Sequence, residues 1–271
     1  MPHLKSHHTW HESFRVFHSC SDEKLKIGRA LQETIELHMS RTYQFGWIDV
    51  GAGDCTQLLV ASAEFPNLSG MFLFDPNWYD NFSPASEAVH RLLARGRSLH
   101  LFPVEFTHNT VGLPNEPCVL TAIHSLFDED IAVTVGEVVQ EFQKNSRVRL
   151  AMIAAEHDSS FIAQCRGHLR SKGIAAPRAV DGYALTPLSA ARLNVESRMV
   201  SDQFLFCGDP LEEGSAWLPP FICGETQQAF KRRALDEQEL VRSTIASVWR
   251  AFGGDPVPIP DNLWVIRRSS L

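Results

Sequence analysis

The stretch WIDVGAGDC, from Trp47 to Cys55, places two glycines between an apolar run and a helical pattern. Because glycine lacks a Cβ atom, Gly51 and Gly53 allow the backbone to turn tightly and to approach a ligand closely. The start of the following helix would offer free N–H groups and the positive end of the helix dipole to an anionic group. This combination indicates a nucleotide-binding turn.

The spacing of the glycines separates two kinds of nucleotide-binding turn. A dinucleotide-binding turn of the form G-x-G-x-x-G would need a third glycine at position 56, where this chain has threonine. Asp49, Gly51 and Gly53 instead fit the form acid-x-G-x-G. Asp75 ends the next apolar run, MFLFD, and an acid there can accept hydrogen bonds from both ribose hydroxyls. The alternative is that Asp75 only begins a turn, DPNW.

This glycine pattern, followed by an acid after the second apolar run, resembles motif I of the class I S-adenosylmethionine (SAM) methyltransferases. The resemblance implies that SAM is the cofactor. The residues that it implies for cofactor binding are Asp49, Gly51, Gly53, Asp75, Glu105, Thr107, Ala122, Ile123 and His124. Glu105 and Thr107 would meet the adenine edge, with ordinary loop polarity as the alternative. The family often has glycine at the position of Cys55, which we interpret as a tolerated small residue rather than a redox or nucleophilic group.

A second set of motifs resembles one branch of this family, the histamine N-methyltransferases. An aromatic–x–Glu–Ser–Phe–x–x–Phe run followed by a Ser/Thr–Glu pair is matched at Trp10, Glu12, Ser13, Phe14, Phe17 and Glu23. The stretches VSDQF, LEEGSAWLPPFI and PDNLWVI also have counterparts in the branch. Trp10, Phe14 and Phe17 would share one helix face, as an aromatic wall over a substrate or as ordinary core packing.

The resemblance to this branch implies a pocket for a cationic amine. Glu23 and a residue near the last strand, Asp261 or Asn262, would contact the amine, because carboxylates pair with ammonium groups and aromatic faces attract cations. The aromatic positions implied for this pocket are Trp10, Phe14, Phe17, Phe127 and Phe161. Histamine itself is not implied, because His124 stands in place of an amide and Asp128 in place of an aromatic residue. Alternatively, Glu23 only occupies the first turn of a helix, where a negative charge interacts favourably with the helix dipole.

The chemistry that the resemblance implies is methyl transfer from a sulfonium, in which the protein mainly aligns nucleophile, carbon and sulfur. An amine nucleophile must be neutral, and His124 would accept its proton or orient its nitrogen. No metal is required, and the segment HLKSHHTWH lacks the HExxH spacing. Two other functions stay open: a cyclase or lyase that consumes SAM itself and releases methylthioadenosine, as in azetidine formation, or SAM binding without catalysis.

Short apolar runs alternate with helical patterns along the chain. The runs are FGWIDV, GMFLFD, SLHLFPV, PCVLTAI and RVRLAMIAA, and this alternation predicts a parallel sheet with helices on both faces. DQFLFCG and NLWVIRR are predicted to be the late strands, an antiparallel edge pair. A long amphipathic pattern from residue 224, with a possible break, is expected to end at Gly253 and Gly254.

Taken with the resemblance, these elements predict an α/β, Rossmann-like class I methyltransferase fold. Its mostly parallel seven-stranded sheet would carry helices on both faces and an N-terminal helical lid. We expect one domain over residues 1–271, with the lid at 1–42 and the SAM-binding core, including substrate-binding insertions, at 43–271.

Composition limits the partners of this 271-residue chain. Its net charge of −7 argues against a nucleic-acid backbone as the main partner. No apolar run approaches the roughly 20 residues that span a bilayer. Six cysteines stand singly without a C-x-x-C pair, and we see no secretory signal, so we expect reduced thiols in the cytoplasm. The expected partner is a small-molecule substrate, with no nucleic acid and no membrane; the oligomeric state stays open.

Overall fold

A computed structural model describes most of the chain as helices and strands. The described residues are 16–39, 42–76, 82–110, 112–123, 131–177, 188, 191, 193–201, 203–204, 216–254 and 256–268. The helices are α1 (Glu23–His38), α2 (Thr56–Ala61), α3 (Phe82–Ala94), α4 (Ile131–Lys144), α5 (Phe161–Ser171), α6 (Leu218–Cys223), α7 (Gln227–Lys231) and α8 (Leu235–Ala251). The strands are β1 (Phe45–Val50), β2 (Leu68–Phe74), β3 (Ser98–Phe102), β4 (Cys118–Ile123), β5 (Val148–Glu156), β6 (Val195–Val200), β7 (Gln203–Phe204), β8 (Val257–Pro258) and β9 (Asp261–Arg267).

Seven of these strands form a mixed, mostly parallel sheet in the order β3-β2-β1-β4-β5-β9-β6. The pairs β1–β2, β1–β4, β2–β3 and β4–β5 are parallel. The N–H of Arg268, just after β9, donates to the carbonyl of Arg149 near the start of β5, over 3.2 Å. The N–H of His157, just after β5, donates to the carbonyl of Pro260 just ahead of β9, over 2.9 Å. Strand β9 therefore runs antiparallel to β5.

The chain divides into two compact units. The sheet unit comprises Leu25–Ala155, Val180–Val200 and Asn262–Leu271. The helical unit comprises Met1–Lys24, Glu156–Ala179 and Ser201–Asp261.

Burial on both faces defines the centre of the sheet unit. Phe45 and Trp47 of β1 lie in one apolar cluster with buried residues of α1, whereas Ile48 and Val50 lie in another with buried residues of α4. Successive side chains of a strand point to opposite faces, so β1 is apolar on both faces except at Asp49. All residues of β1 and β4 are buried, while β3 and β6 at the sheet edges are largely exposed.

The helical unit has an apolar cluster of its own, built from α5, α6, α8 and neighbouring residues. The hydroxyl of Ser160 caps α5 by accepting a hydrogen bond from the N–H of Ala163 at 2.9 Å. Within this unit the buried guanidinium of Arg166 donates to Glu156 and to the carbonyl of Ile222, both over 3.1 Å. These bonds satisfy a charge that would otherwise be costly to bury.

The structure confirms the predicted fold class and corrects the late strands. The NLWVIR stretch forms β9, but Gln203–Phe204 pairs with β8 in a separate two-stranded antiparallel sheet. The predicted edge pair is therefore wrong, and β6 is the strand at that edge. Four of the six residues of β6 are exposed, so its sequence, VESRMV, carries no apolar run that could have revealed it.

The helix predictions are confirmed where the spacing of the apolar residues was regular. The long pattern after residue 224 is broken into α7 and α8, and the chain leaves the helix through two glycines with positive φ, Gly253 and Gly254. Helix α4 was not predicted. The division into a lid and a core stays a prediction: residues 1–15 lie outside the described part, and Ile27 and Leu31 of α1 are buried in a cluster with the sheet.

Two helix-interior glycines give a matched test of the close contact between α1 and α2. A Cβ atom on Gly28 would lie 2.8 Å from Cβ of Val60 and 3.0 Å from the carbonyl oxygen of Gln57, whereas one on Gly136 would meet no atom of the described residues within 4 Å. Gly136→Ala should raise the free energy of unfolding by about 0.5–1 kcal/mol through helix propensity. Gly28→Ala should lower it by about 1–2 kcal/mol, because overpacking outweighs the same gain.

Urea unfolding followed by far-UV circular dichroism measures both changes under one set of conditions. Equal stabilisation by the two substitutions would show that α1 and α2 do not approach as closely as described.

Candidate functional site

The glycine turn follows β1 and is tied to the end of β2. The N–H groups of Gly51 and Ala52 both donate to the carbonyl of Phe74, over 2.7 and 3.1 Å. Gly51 and Gly53 adopt positive φ angles of 70° and 52°. L residues with side chains rarely adopt such angles, which explains why the turn uses glycine at these two positions.

Asp75 connects this turn to the neighbouring strands. Its side chain is buried, and its Oδ2 accepts a hydrogen bond of 2.7 Å from the N–H of Gly53. Its own N–H donates to the carbonyl of Phe102 at the end of β3, over 3.1 Å. A single carboxylate thus stands where the carboxyl ends of β1, β2 and β3 meet, the edge at which open α/β sheets bind ligands.

Asp49 is a second carboxylate of the site and is fully buried. Its Oδ1 accepts a hydrogen bond from the hydroxyl of Thr121, which itself accepts one of 2.8 Å from Nε1 of Trp47. Oδ2 has no hydrogen-bond partner among the described residues. Burial raises the pKa of Asp49 to about 7; the bond from Thr121 opposes that rise and the charge of Asp75 adds to it.

Cys55 adopts a left-handed conformation, with φ 58° and ψ 11°, directly before α2. It is the one residue with a side chain at positive φ among those described. This geometry accounts for the glycine that the resembled family often has at the position. The side chain is fully buried, which favours the structural interpretation over a nucleophilic or redox role.

The other predicted cofactor positions differ in exposure. Ala122 and Ile123 are buried at the end of β4, and Ala122 lies opposite Val50 in the register with β1. Glu105 and Thr107 are exposed in the loop after β3. The intervening residue, Phe106, is buried and packs its ring edge-to-face on a phenylalanine of β2, with ring centroids 5.2 Å apart. The structure therefore brings Asp49, Asp75 and both glycines together and leaves the adenine assignments as predictions.

The predicted substrate residues that are described all belong to the helical unit. Phe17 stacks on Phe221 with ring centroids 5.0 Å apart, and Phe161 is fully buried. Glu23 and Asp261 are both buried, with 5% and 2% of their surface exposed. Trp10, Phe14, His124 and Phe127 lie outside the described residues. The substrate assignments all stay predictions.

Thr121 and Trp47 belong to the site, yet sequence reasoning missed them. Thr121 is the one polar residue of the strand CVLTAI and is fully buried. A hydroxyl group that is buried in a strand needs a hydrogen-bond partner. This requirement is the feature of the sequence from which a contact of Thr121 could have been predicted. In the described part of the chain, no cluster of His, Cys, Asp or Glu is placed to hold a metal ion, and no helix is long and apolar enough to cross a membrane.

Comparison with known proteins gives a fold but no family. No family model matches the chain, and no curated protein matches it. Among solved structures, a cyclopropane-fatty-acyl-phospholipid synthase-like protein from Lactobacillus casei matches 90% of this chain and 92% of its own, with 12% identity and a TM-score of 0.57. The fold is Rossmann-like, of the methyltransferase type. A precorrin-6y C5,15-methyltransferase from Geobacter metallireducens also matches, over 89% and 88%, with 12% identity and a TM-score of 0.47.

The buried carboxyl of Asp49 should make the stability of the protein pH-dependent. Its pKa is about 7 in the folded state against an ordinary value of 3.8, so between these values the folded chain holds a proton that the unfolded chain has released. Stability therefore falls as pH rises through this window. Asp49→Asn should remove the effect, and its free energy of unfolding relative to wild type should rise with pH by up to about 1.4 kcal/mol per unit.

Urea denaturation between pH 4 and 8 measures this difference, with Glu64→Gln as the control for loss of an exposed carboxylate. A difference between Asp49→Asn and wild type that stays constant across the range would contradict a raised pKa at Asp49.

Proposed function

We propose that this protein is a SAM-dependent methyltransferase that binds its cofactor at the turn after β1. One observation carries the proposal: the buried carboxylate of Asp75 accepts a hydrogen bond from the N–H of Gly53 at the carboxyl ends of adjacent parallel strands. Nucleotides bind at this edge of open α/β sheets, and an acid after the second strand meets the ribose hydroxyls. The methyltransferase-type fold and the acid-x-G-x-G motif agree with this assignment.

The residues around the turn suit SAM chemically. Among the described residues, a Cβ on Gly53 would meet only the carbonyl oxygen of Gly51, at 3.9 Å. Asp75 gives the site negative charge, and Oδ2 of Asp49, which has no partner among the described residues, can accept a hydrogen bond. SAM carries a sulfonium and an ammonium group, and both are stabilised by nearby carboxylates.

Each residue has a distinct task in the proposed reaction. Bound SAM supplies an activated methyl group. Asp75 holds the ribose of SAM, and Asp49 accepts a hydrogen bond from the amino-acid end of SAM. The glycine turn fixes the distance between these two carboxylates. Such positioning supplies up to about 7–11 kcal/mol of the barrier reduction in well-oriented systems. His124, the residue that follows Ile123 in the sequence, is proposed to take the proton of the nucleophile or to orient it.

The proposed acceptor is a small amine or an amino-acid-like metabolite. Glu23 and Asp261 are buried carboxylates of the helical unit, which also contains Phe17 and Phe161. Carboxylates and aromatic faces are the groups that select cationic amines. The motif resemblance to the histamine N-methyltransferases supports the same class of acceptor without specifying histamine.

Incubation with SAM, followed by mass spectrometry, tests the reaction. The protein is supplied with SAM alone and then with pooled small amines and amino acids. S-adenosylhomocysteine that appears only with an acceptor is the expected result. Methylthioadenosine formed from SAM alone would replace the proposal with a SAM-consuming cyclase or lyase. SAM binding without any turnover would favour a non-catalytic role.

Substitution of Asp75 tests the cofactor site directly. Asp75→Ala removes the acceptor of the Gly53 N–H and the proposed ribose contact. SAM affinity should fall at least about tenfold, since loss of a hydrogen bond to a charged group costs about 1.5–3 kcal/mol. Asp54→Ala is the control, because Asp54 lies in the same turn and its Oδ1 accepts a hydrogen bond of 3.0 Å from the N–H of Thr56. Isothermal titration calorimetry with SAM compares the two, and equal losses would refute the special role of Asp75.

A further inference from the structure

A cavity of about 860 Å³ lies in the sheet unit at the amino ends of the parallel strands. Phe45 begins β1, Pro117 precedes β4, and Arg149 is the second residue of β5; all three line the cavity. The glycine turn lies at the opposite, carboxyl ends of these strands. The cavity is therefore separate from the candidate cofactor site, and its volume is within the range of roughly 300–1,000 Å³ that small-molecule sites occupy.

The charged side chains among the described residues that line this cavity are all basic. Among the described residues that line it are Arg149, Arg267, Arg268 and His38, and none of the described lining residues carries a carboxylate. The pKa of His38 is lowered mainly by burial and secondly by the charge of Arg267. The positive lining contrasts with the net charge of −7 on the chain. Local charge of this sign favours an anionic ligand.

Two of the arginines are held in place by the fold. Arg268 donates from Nε to the carbonyl of Val148 at 2.9 Å, and its guanidinium carbon lies 4.7 Å from the ring centroid of Phe142. Its Nη2 donates to the carbonyls of Phe142 and Asn145, so Nη1 is the nitrogen that can bind an anion. These contacts fix its position before any ligand binds, which lowers the entropic cost of binding. Arg267 forms a 2.5 Å ion pair with Glu196, so its charge is already balanced.

Arg149 differs from the other two arginines. It is exposed, and no described residue forms a hydrogen bond or ion pair with its guanidinium. A guanidinium offers several N–H donors in a planar fork that matches carboxylate and phosphate groups. Arg149 therefore retains its full donor capacity at the wall of the cavity.

The same cavity also has an apolar wall. Leu37 and Tyr43 line it, and 76% and 69% of their surfaces are exposed. Large apolar side chains with this exposure gain free energy when a ligand covers them. A ligand for this cavity thus needs an apolar body in addition to its charge.

We propose that this cavity binds a small organic anion, one that carries a carboxylate or a phosphate on an aromatic or apolar body. Arg149 and Arg268 bind the anionic group, and Leu37 and Tyr43 contact the body. The proposal does not depend on the proposed methyltransferase function, because the two sites lie at opposite ends of the sheet.

Ligand-observed NMR titrations of the full chain test this site with three matched probes: phenyl phosphate, benzoate and the neutral benzyl alcohol. Both anions should bind and benzyl alcohol should not. Arg149→Ala should weaken binding of the anions about tenfold, because a hydrogen bond to a charged group is lost. Arg149→Glu should abolish it, and Arg29→Ala should leave it unchanged, because Arg29 is an exposed arginine that does not line the cavity.

The pattern of affinities decides between the outcomes. Tighter binding of phenyl phosphate identifies a phosphate ligand, and tighter binding of benzoate identifies a carboxylate; either supports the proposal. Anion binding that survives in Arg149→Glu, or benzyl alcohol binding as tightly as the anions, would overturn it, as would absence of binding by all three probes. Circular dichroism of each variant confirms that it is folded.

Discussion

The hydrogen bond from the N–H of Gly53 to the carboxylate of Asp75 is the contact on which the candidate cofactor site depends. It forms only if β1 and β2 are parallel and in register, with Val50 opposite Phe74, so that both strands end at the same level. It also requires the positive φ of Gly53, which directs the N–H toward the second strand. Because Gly51 is anchored to the end of β2 as well, the turn has two attachments to β2 and little freedom to change shape.

The same contact places a carboxylate close to another one, an arrangement that works against stability. Asp49 is fully buried beside Thr121, and both burial and the charge of Asp75 favour its protonated form. Buried carboxylates without a counter-charge are costly, and clusters of groups with perturbed pKa values occur most often at functional sites. A cationic ligand would reverse the effect by stabilising both carboxylates. This effect agrees with the proposed cofactor site.

The parts of the fold that could be predicted from the sequence are those whose burial leaves a simple pattern. Strands β1 and β4 are covered on both faces, so their sequences are apolar runs except for Asp49 and Thr121. The edge strand β6 is mostly exposed and left no such run, and β7 and β8 are too short to show a period. At the site, Asp75 and the glycines were recognisable from their places after the apolar runs, and Asp49 from the resemblance of the acid-x-G-x-G motif to a known family. The bonds that join Trp47 to Thr121 and Thr121 to Asp49 link residues far apart in sequence, and no local pattern reports such contacts.

Strand direction gives the two ends of the sheet opposite electrostatic character. The carboxyl ends of β1 and β2 carry the buried acids Asp49 and Asp75. At the amino ends, β5 contributes Arg149 from its first residues, and the antiparallel β9 ends at Arg267, with Arg268 directly after it. A parallel β9 would have carried these two arginines to the acidic end. One reversed strand therefore separates a negative site from a positive one within a single sheet, and the two ends can select ligands of opposite charge.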